Sequence, residues 1–492
     1  MAKRSIFDLI KQSGLYALGN VAIKLSGLFL APLYLNSSIL SVKAYGQFAT
    51  LFVFAQICII VAGLGLGNGL LRYVGRDERA GEQEALPFTA VVASIGFAGL
   101  FWLILQFFAE PLASYFLDDT GAGHVILFLG IYIGCKVIAA VPMMLLRIQE
   151  RPGVYVLVIM LEMVVLIGGV YVFLAAQQRG IEGIYMAYAC ASGLQVFVLL
   201  VALLSSIKWQ FKVGLLRPLL AYGGPLIFMG LAGLVLNAGD RFLLKELASD
   251  ETVAMYEWAA RLSGVLNLFV VQSFQLAFTI LGLKTLGSGD LSLHRRAFRH
   301  FSIWAAWFVL GIALLAFDLT AALGRIGVDA YYLESTILVF PLALGAMLYG
   351  VFVVINNIFF ATNKTHLISW MVSIAAVLNV LLNLALIPTT GAYGAAAATV
   401  LSYGILVFLA NRLAGKEIDI QYRWSTFAIV LGIVTCLFVL GLLTQEFALV
   451  PRIFARVLLI LTYFPLLFLF RLYSRDEIAQ GWQFIKEKIG WT

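Results

Sequence analysis

Leu86–Phe108 reads LPFTAVVASIGFAGLFWLILQFF, 23 residues without one Asp, Glu, Lys or Arg. At about 1.5 Å rise per residue, such a run spans a hydrocarbon core of about 30 Å as a helix. No water reaches the backbone inside that core, so the helix is the one form a single apolar run can take there. Similar stretches lie on both sides of it. Before it come Gly14–Leu35 and Phe48–Leu66. After it come Val125–Met144, Val154–Leu174, Ile181–Leu204 and Leu219–Leu236. A second set is Val253–Leu281, Phe301–Ala322, Thr336–Phe360, Leu367–Ile387, Tyr393–Leu409, Thr426–Leu443 and Ile453–Phe470. The expected fold class is an all-α polytopic membrane protein with 14 spans, numbered one to fourteen below.

Composition agrees. Hydrophobic residues make up 62% of the 492 and mean hydropathy is +0.97, values that exclude an ordinary soluble domain. The net charge of +7 is not a nucleic-acid signal, because the basic residues are sorted by loop. With the N-terminus inside, 23 of the 33 Lys and Arg fall in the inner loops and tails, 6 in the outer loops and 4 within spans. That bias predicts a multi-pass membrane protein with both termini inside, in contact with anionic lipid headgroups. Cys58, Cys135, Cys190 and Cys436 lie in separate spans, and the four histidines do not cluster. Neither a disulfide framework nor a metal site is expected. The first apolar run is too long for a cleaved signal and reads as an anchor.

The two halves resemble each other at an offset of 211 residues. Tyr45 maps onto Tyr256, Gly180 onto Gly391, Gly183 onto Gly394 and Gly193 onto Gly404. Six spans per unit predict two units of like orientation about an axis along the membrane normal, with a site between them near the midplane. The expected division is an N-lobe at 1–204 with spans one to six and a C-lobe at 205–425 with spans seven to twelve. Spans thirteen and fourteen occupy 426–470, and 471–492 is a cytoplasmic tail. In that tail Ile478, Trp482, Ile485 and Ile489 form an apolar stripe beside Lys486 and Lys488, the pattern of a helix lying on the membrane surface. The longest loops have about twenty residues, too few for a folded catalytic or nucleotide-binding domain.

Gly63, Gly65, Gly67 and Gly69 end span two. The run fails the G-x-G-x-x-G pattern, and no strand precedes it. It reads as a close helix contact. Gly223-Gly224-Pro225 predicts a break or kink near the start of span seven, because proline lacks the donor and clashes with the preceding turn.

Charges within spans are costly and therefore informative. Lys24 lies ten residues into span one, roughly 15 Å deep, with no acid in its own span. Either it lines a cavity or it pairs with an acid of another helix. Arg261 lies roughly 12 Å into span eight, one turn after Glu257, which leaves an ion pair within the helix or a substrate contact open. Lys136 and Glu162 are each eight residues from the inner ends of adjacent antiparallel spans. Equal depth favours a buried salt bridge; the other reading is Glu162 as a proton-coupling acid, its pKa raised by burial. Asn379 and Asn383 read as hydrogen-bond glue between helices.

Several of these strings carry a family resemblance. LYALGNVAIKLSGLFLAPLYL (Leu15–Leu35), YGQF (Tyr45–Phe48) and LGLGNGLLRYV (Leu64–Val74) are similar to the start of polysaccharide-transport flippases. So are GGPLIFMGLAGLVLNAGDRFLL (Gly223–Leu244) and NVLLNLALIPTTGAYGAAAATVLSY (Asn379–Tyr403). The resemblance covers spans one to twelve and is to the Wzx-type, O-antigen members of the multidrug/oligosaccharidyl-lipid/polysaccharide (MOP, MATE-like) exporter superfamily. It implies two six-helix lobes in a V, a cationic cavity and alternating access. The implied cargo is an oligosaccharide on undecaprenyl pyrophosphate, moved from the inner to the outer leaflet. Implied partners are membrane lipids and a polysaccharide polymerase or glycosyltransferases of the same pathway. Cations in spans one and eight line the cavity in this family, which carries that role onto Lys24 and Arg261. No organic cofactor is expected, only an ion or proton gradient.

Two other functions compete. A drug or organic-cation antiporter of the same superfamily needs a cavity carboxylate, yet span one has none and Asp240 sits beside Arg241. A membrane-embedded glycan polymerase or ligase needs a long outer loop, yet the longest expected here has about sixteen residues. The expectation is a transporter, not an enzyme.

Overall fold

The computed structural model describes residues 26–74, 84–204, 207–287 and 289–472. Among them, 13 helices are long and apolar enough to cross a membrane, and each coincides with one of the expected spans two to fourteen. Span one begins outside the described residues, as do Lys24 and the amphipathic stripe of the tail. Helix ends extend a few residues past the apolar runs. Span two runs Val42–Ala62 and span nine Ser292–Gly324, because helices continue into the headgroup region where polar side chains are tolerated. No strand is present among the described residues; the isolated bridge between Asn36 and Val328 is the β feature there.

Burial ranks the helices. Spans two, four, ten and twelve are more than half buried, whereas span seven is 17% buried. The chain forms two compact units by contact. One comprises Met1–Arg261, Leu323–Tyr332 and Ser369–Ser402; the other comprises Leu262–Ala322, Leu333–Ile368 and Tyr403–Thr492. In the first unit, one apolar cluster gathers helix ends: Leu66 and Leu70, Leu86, Leu145 and Leu146, Leu199 and Leu203, and Leu215 and Leu219. In the second, Asp318 near the end of span nine accepts from Arg452 Nε at 2.8 Å and from Arg456 Nη1 at 2.6 Å. These bonds tie span fourteen to span nine.

The glycine run behaves as a contact and an interruption together. Span two ends at Ala62, Leu64 and Gly65 take positive φ, and a short helix follows at Leu66–Tyr73. A Cβ on Gly223 would lie 2.5 Å from the Gly65 carbonyl oxygen, and one on Gly69 would lie 2.7 Å from that of Leu219. Only hydrogen fits at such backbone approach. Span seven is not broken at Pro225: its helix runs unbroken over Leu216–Ala238. Pro225 is the tenth residue of that helix, so it forgoes one interior bond, to the Ala221 carbonyl, and the turns on either side carry the helix past it.

The glycines related by the 211-residue offset share geometry. Gly180 has φ +56° and Gly391 has φ +57°. A Cβ on Gly183 would sit 2.8 Å from the Phe173 carbonyl, and one on Gly394 would sit 2.6 Å from that of Leu386. In both places a left-handed glycine turns the chain and a second glycine lets the new helix press on the old one.

Candidate functional site

Span eight starts at Asp250 and carries Glu257 and Arg261 one turn apart on the same face. Arg261 Nε donates to Glu257 Oε1 at 2.8 Å. The other carboxylate oxygen of Glu257 accepts from Arg241 Nη2 at 3.0 Å and Nε at 3.2 Å. Arg241 Nη1 donates to Asp240 Oδ1 at 2.7 Å and to the Asn237 carbonyl at 3.2 Å. The Tyr256 hydroxyl donates to Asp240 Oδ2, and lies 3.3 Å from Thr399 Oγ1 of span twelve. Two cations and two anions alternate through this chain of contacts, so its formal charge is zero. That alternation is what lets four charges sit in a site where their side chains are 4–18% exposed; an unpaired member would carry a desolvation penalty of several kcal/mol.

Arg261 also reaches span one. Its Nη1 donates to the Gly27 carbonyl at 3.3 Å, and a Cβ at Gly27 would lie 2.8 Å from the same nitrogen. Its guanidinium lies 5.8 Å from the Tyr34 ring centroid and 5.7 Å from that of Tyr45, within cation–π range. Tyr34 and Tyr45 are themselves part of a buried aromatic group with Phe48, Tyr185 and Tyr188. The Glu257–Arg261 spacing was legible in the sequence. Arg241 as the hub was not: it lies on another helix, and no local spacing links it to Glu257.

A second polar site lies among spans four, five and six. Lys136 Nζ donates to Glu162 Oε1 and to Gln195 Oε1 at 3.1 Å. Glu162 is 3% exposed, and its Oε2 is buried without a hydrogen-bond partner. Equal depth on antiparallel spans thus brings the two charges together, while Gln195 is a partner that depth alone did not reveal. Asn383 donates to the carbonyl and Oδ1 of Asn379 at 2.8 and 3.0 Å within span eleven. The expected bonds to a neighbouring helix are not among those described; Asn379 Nδ2 and Asn383 Oδ1 are buried without a partner.

At the end expected to face outward, Asp118 accepts from Lys43 at 2.7 Å and from Gln47 at 3.2 Å. The Lys43 hydrogen bond holds its carboxyl below the ordinary 3.8. Tyr115 donates to Glu246 at 2.6 Å, and burial followed by that acid raises the phenol to about 12.

A family profile described as "Polysaccharide biosynthesis protein" matches residues 37–279. Among solved structures, the chain is similar to the lipid II flippase MurJ in an inward closed conformation. That pair has a TM-score of 0.75 at 14% identity, covering 93% of this chain and 100% of the other. It is also similar to the MATE multidrug transporter DinF-BH, with TM-score 0.62, 16% identity and coverage of 85% and 98%. An inward-facing MATE transporter of the MOP superfamily gives 0.61, 16%, 82% and 95%. Comparison with curated protein sequences returns no match. The chain is a multi-pass membrane protein with the fold of the MOP exporters, and the resemblance to their polysaccharide-transport members is borne out.

Proposed function

We propose that the protein moves an oligosaccharide linked to undecaprenyl pyrophosphate from the inner to the outer leaflet of a bacterial cytoplasmic membrane, by alternating access, for surface polysaccharide synthesis. The observation that carries this reading is the Arg261–Gly27 bond at 3.3 Å. It sets the cation of span eight against span one, three residues after Lys24 in the sequence. Glu257 and Gly27 occupy two of the five N–H donors of the Arg261 fork, which leaves donors for phosphate oxygens. The ionic chain of Arg241, Arg261, Asp240 and Glu257 is neutral, so a span-one lysine lining the same cavity, the role the resemblance carries onto Lys24, would give a net +1 that suits an anion. A pyrophosphate held by two cations gains charge-assisted, geometrically directed bonds. An organic-cation antiporter would need a carboxylate with room for its drug, and both Asp240 and Glu257 are occupied by arginine.

The test replaces Lys24 and Arg261 by Ala, singly and together, in cells that make the polysaccharide. Arg261→Ala leaves Glu257 paired with Arg241, so insertion is expected to survive. Surface polysaccharide should disappear while the protein stays in the membrane at its normal level. Unchanged polysaccharide in the double variant would overturn the reading.

A further inference from the structure

The short helix Leu66–Tyr73 ends in a cation that nothing described neutralises. Arg72 lies in its last turn, with its guanidinium 6.0 Å from the ring centroid of Tyr222 on span seven. Its Nη1 is buried and has no hydrogen-bond partner, and among the described residues no carboxylate forms an ion pair with it. Three other described basic groups of this end have partners. Arg147 donates to the Tyr155 hydroxyl at 2.5 Å, Arg151 to the Ala202 carbonyl at 3.3 Å, and Lys208 pairs with Glu84 at 2.5 Å. Arg72 differs in having a desolvated nitrogen and no acceptor. Enclosing a guanidinium nitrogen without an acceptor is unfavourable, and an anionic oxygen reverses the sign of that cost.

The position matters as much as the charge. Tyr222 directly precedes Gly223, which meets Gly65 backbone to backbone, and Leu219 meets Gly69 in the same way. Arg72 therefore stands at the end of the seam where the short helix and span seven touch. Its end of the molecule is the one whose loops carry the basic excess, next to the headgroup layer. Tyr222 is 40% exposed, so the pair is open on one side. At 6.0 Å from the ring centroid the guanidinium is at the limit of cation–π range, and its N–H fork has the geometry to take two oxygens of one phosphate.

We propose that Arg72 and Tyr222 form a phosphate-binding site at the inner end of the span two–span seven seam, where a lipid phosphate docks before the seam opens. The ligand chemistry is a phosphate ester or pyrophosphate at the membrane surface, from either the polyprenyl carrier or an anionic phospholipid. The carrier as source rests on the proposed function; the phosphate site does not.

The experiment uses the purified full chain in nanodiscs of phosphatidylcholine, with binding read by native mass spectrometry. One arm adds a polyprenyl pyrophosphate and the other adds phosphatidylglycerol. Arg72→Gln should weaken binding by about tenfold or more, the loss of one charge-assisted contact. Arg72→Lys, which keeps the charge without the fork, should fall between. Tyr222→Leu supplies an independent variant should Arg72→Gln insert poorly. Loss confined to the pyrophosphate arm assigns the carrier, and loss confined to phosphatidylglycerol assigns a headgroup and leaves the flippase reading untouched. Equal binding by wild type, Arg72→Gln and Tyr222→Leu in both arms overturns the site, whatever Lys24 and Arg261 do to polysaccharide export.

Discussion

Lys136 and Glu162 show what a single buried pair demands. Removing one partner strands the other at a cost of about 3–5 kcal/mol. Lys136→Met should therefore lower the melting temperature of the detergent-purified protein, and adding Glu162→Gln should restore much of the loss. Glu162→Gln alone separates structure from coupling: a stable, well-expressed protein that no longer flips would assign Glu162 to proton transport. Asp118 makes a different kind of statement. Its folded pKa is depressed by Lys43, so the stabilisation is present above the ordinary value of 3.8 and is lost as pH falls through the lower folded value. Both side chains are about half exposed, so solvent screens the pair and its contribution is small. Asp118→Asn should leave thermal stability between pH 5 and 8 within experimental error of wild type, a result that a pH series of melting curves checks.

At the scale of elements, backbone contacts at the two ends of span two are held by glycine. At one end a Cβ on Gly46 would overlap the Asp250 carbonyl where span eight begins; at the other, a Cβ on Gly223 would crowd Gly65. Neither contact closes around a methyl group. Gly46→Ala should then favour opening at the Asp250 end, and Gly223→Ala opening at the Gly65 end. Labelling of single cysteines placed near each contact should rise at the corresponding end only. Equal labelling in both variants and wild type would show that these contacts do not gate access. Pro225 gives the converse lesson. Its helix continues through it, so Pro225→Ala should not change membrane insertion, as measured by expression in the membrane fraction.

For the whole molecule, the basic-residue bias of 23 against 6 predicts that residue 290 faces the cytoplasm and residue 248 the outside. Both positions are exposed in the structure. In a cysteine-free background, Ala248→Cys should react with an impermeant reagent added to intact cells and Asp290→Cys should not; the reverse pattern would invert the topology. The spans were legible because the bilayer imposes a one-dimensional rule: length and polarity along the chain decide what crosses, without reference to any partner helix. The likeness of Gly180 and Gly391 was legible from the 211-residue offset, because a left-handed turn restricts the residue type. Lys136 with Glu162 was legible because depth is also a one-dimensional coordinate. Which faces meet is a different matter. Arg241 as the hub of the Arg261 cluster, Gln195 beside Lys136 and Arg72 without an acceptor depend on helix rotation and on neighbours far apart in sequence. Apolar helices pack through small residues and few polar contacts, and 62% hydrophobic composition leaves many rotations with nearly the same pattern. The sequence by itself determined which segments enter the membrane, which charges go in with them and which pair by depth or spacing; tertiary packing alone decided the partners that come from other helices at no fixed spacing, Arg241 for Glu257 and Gln195 for Lys136.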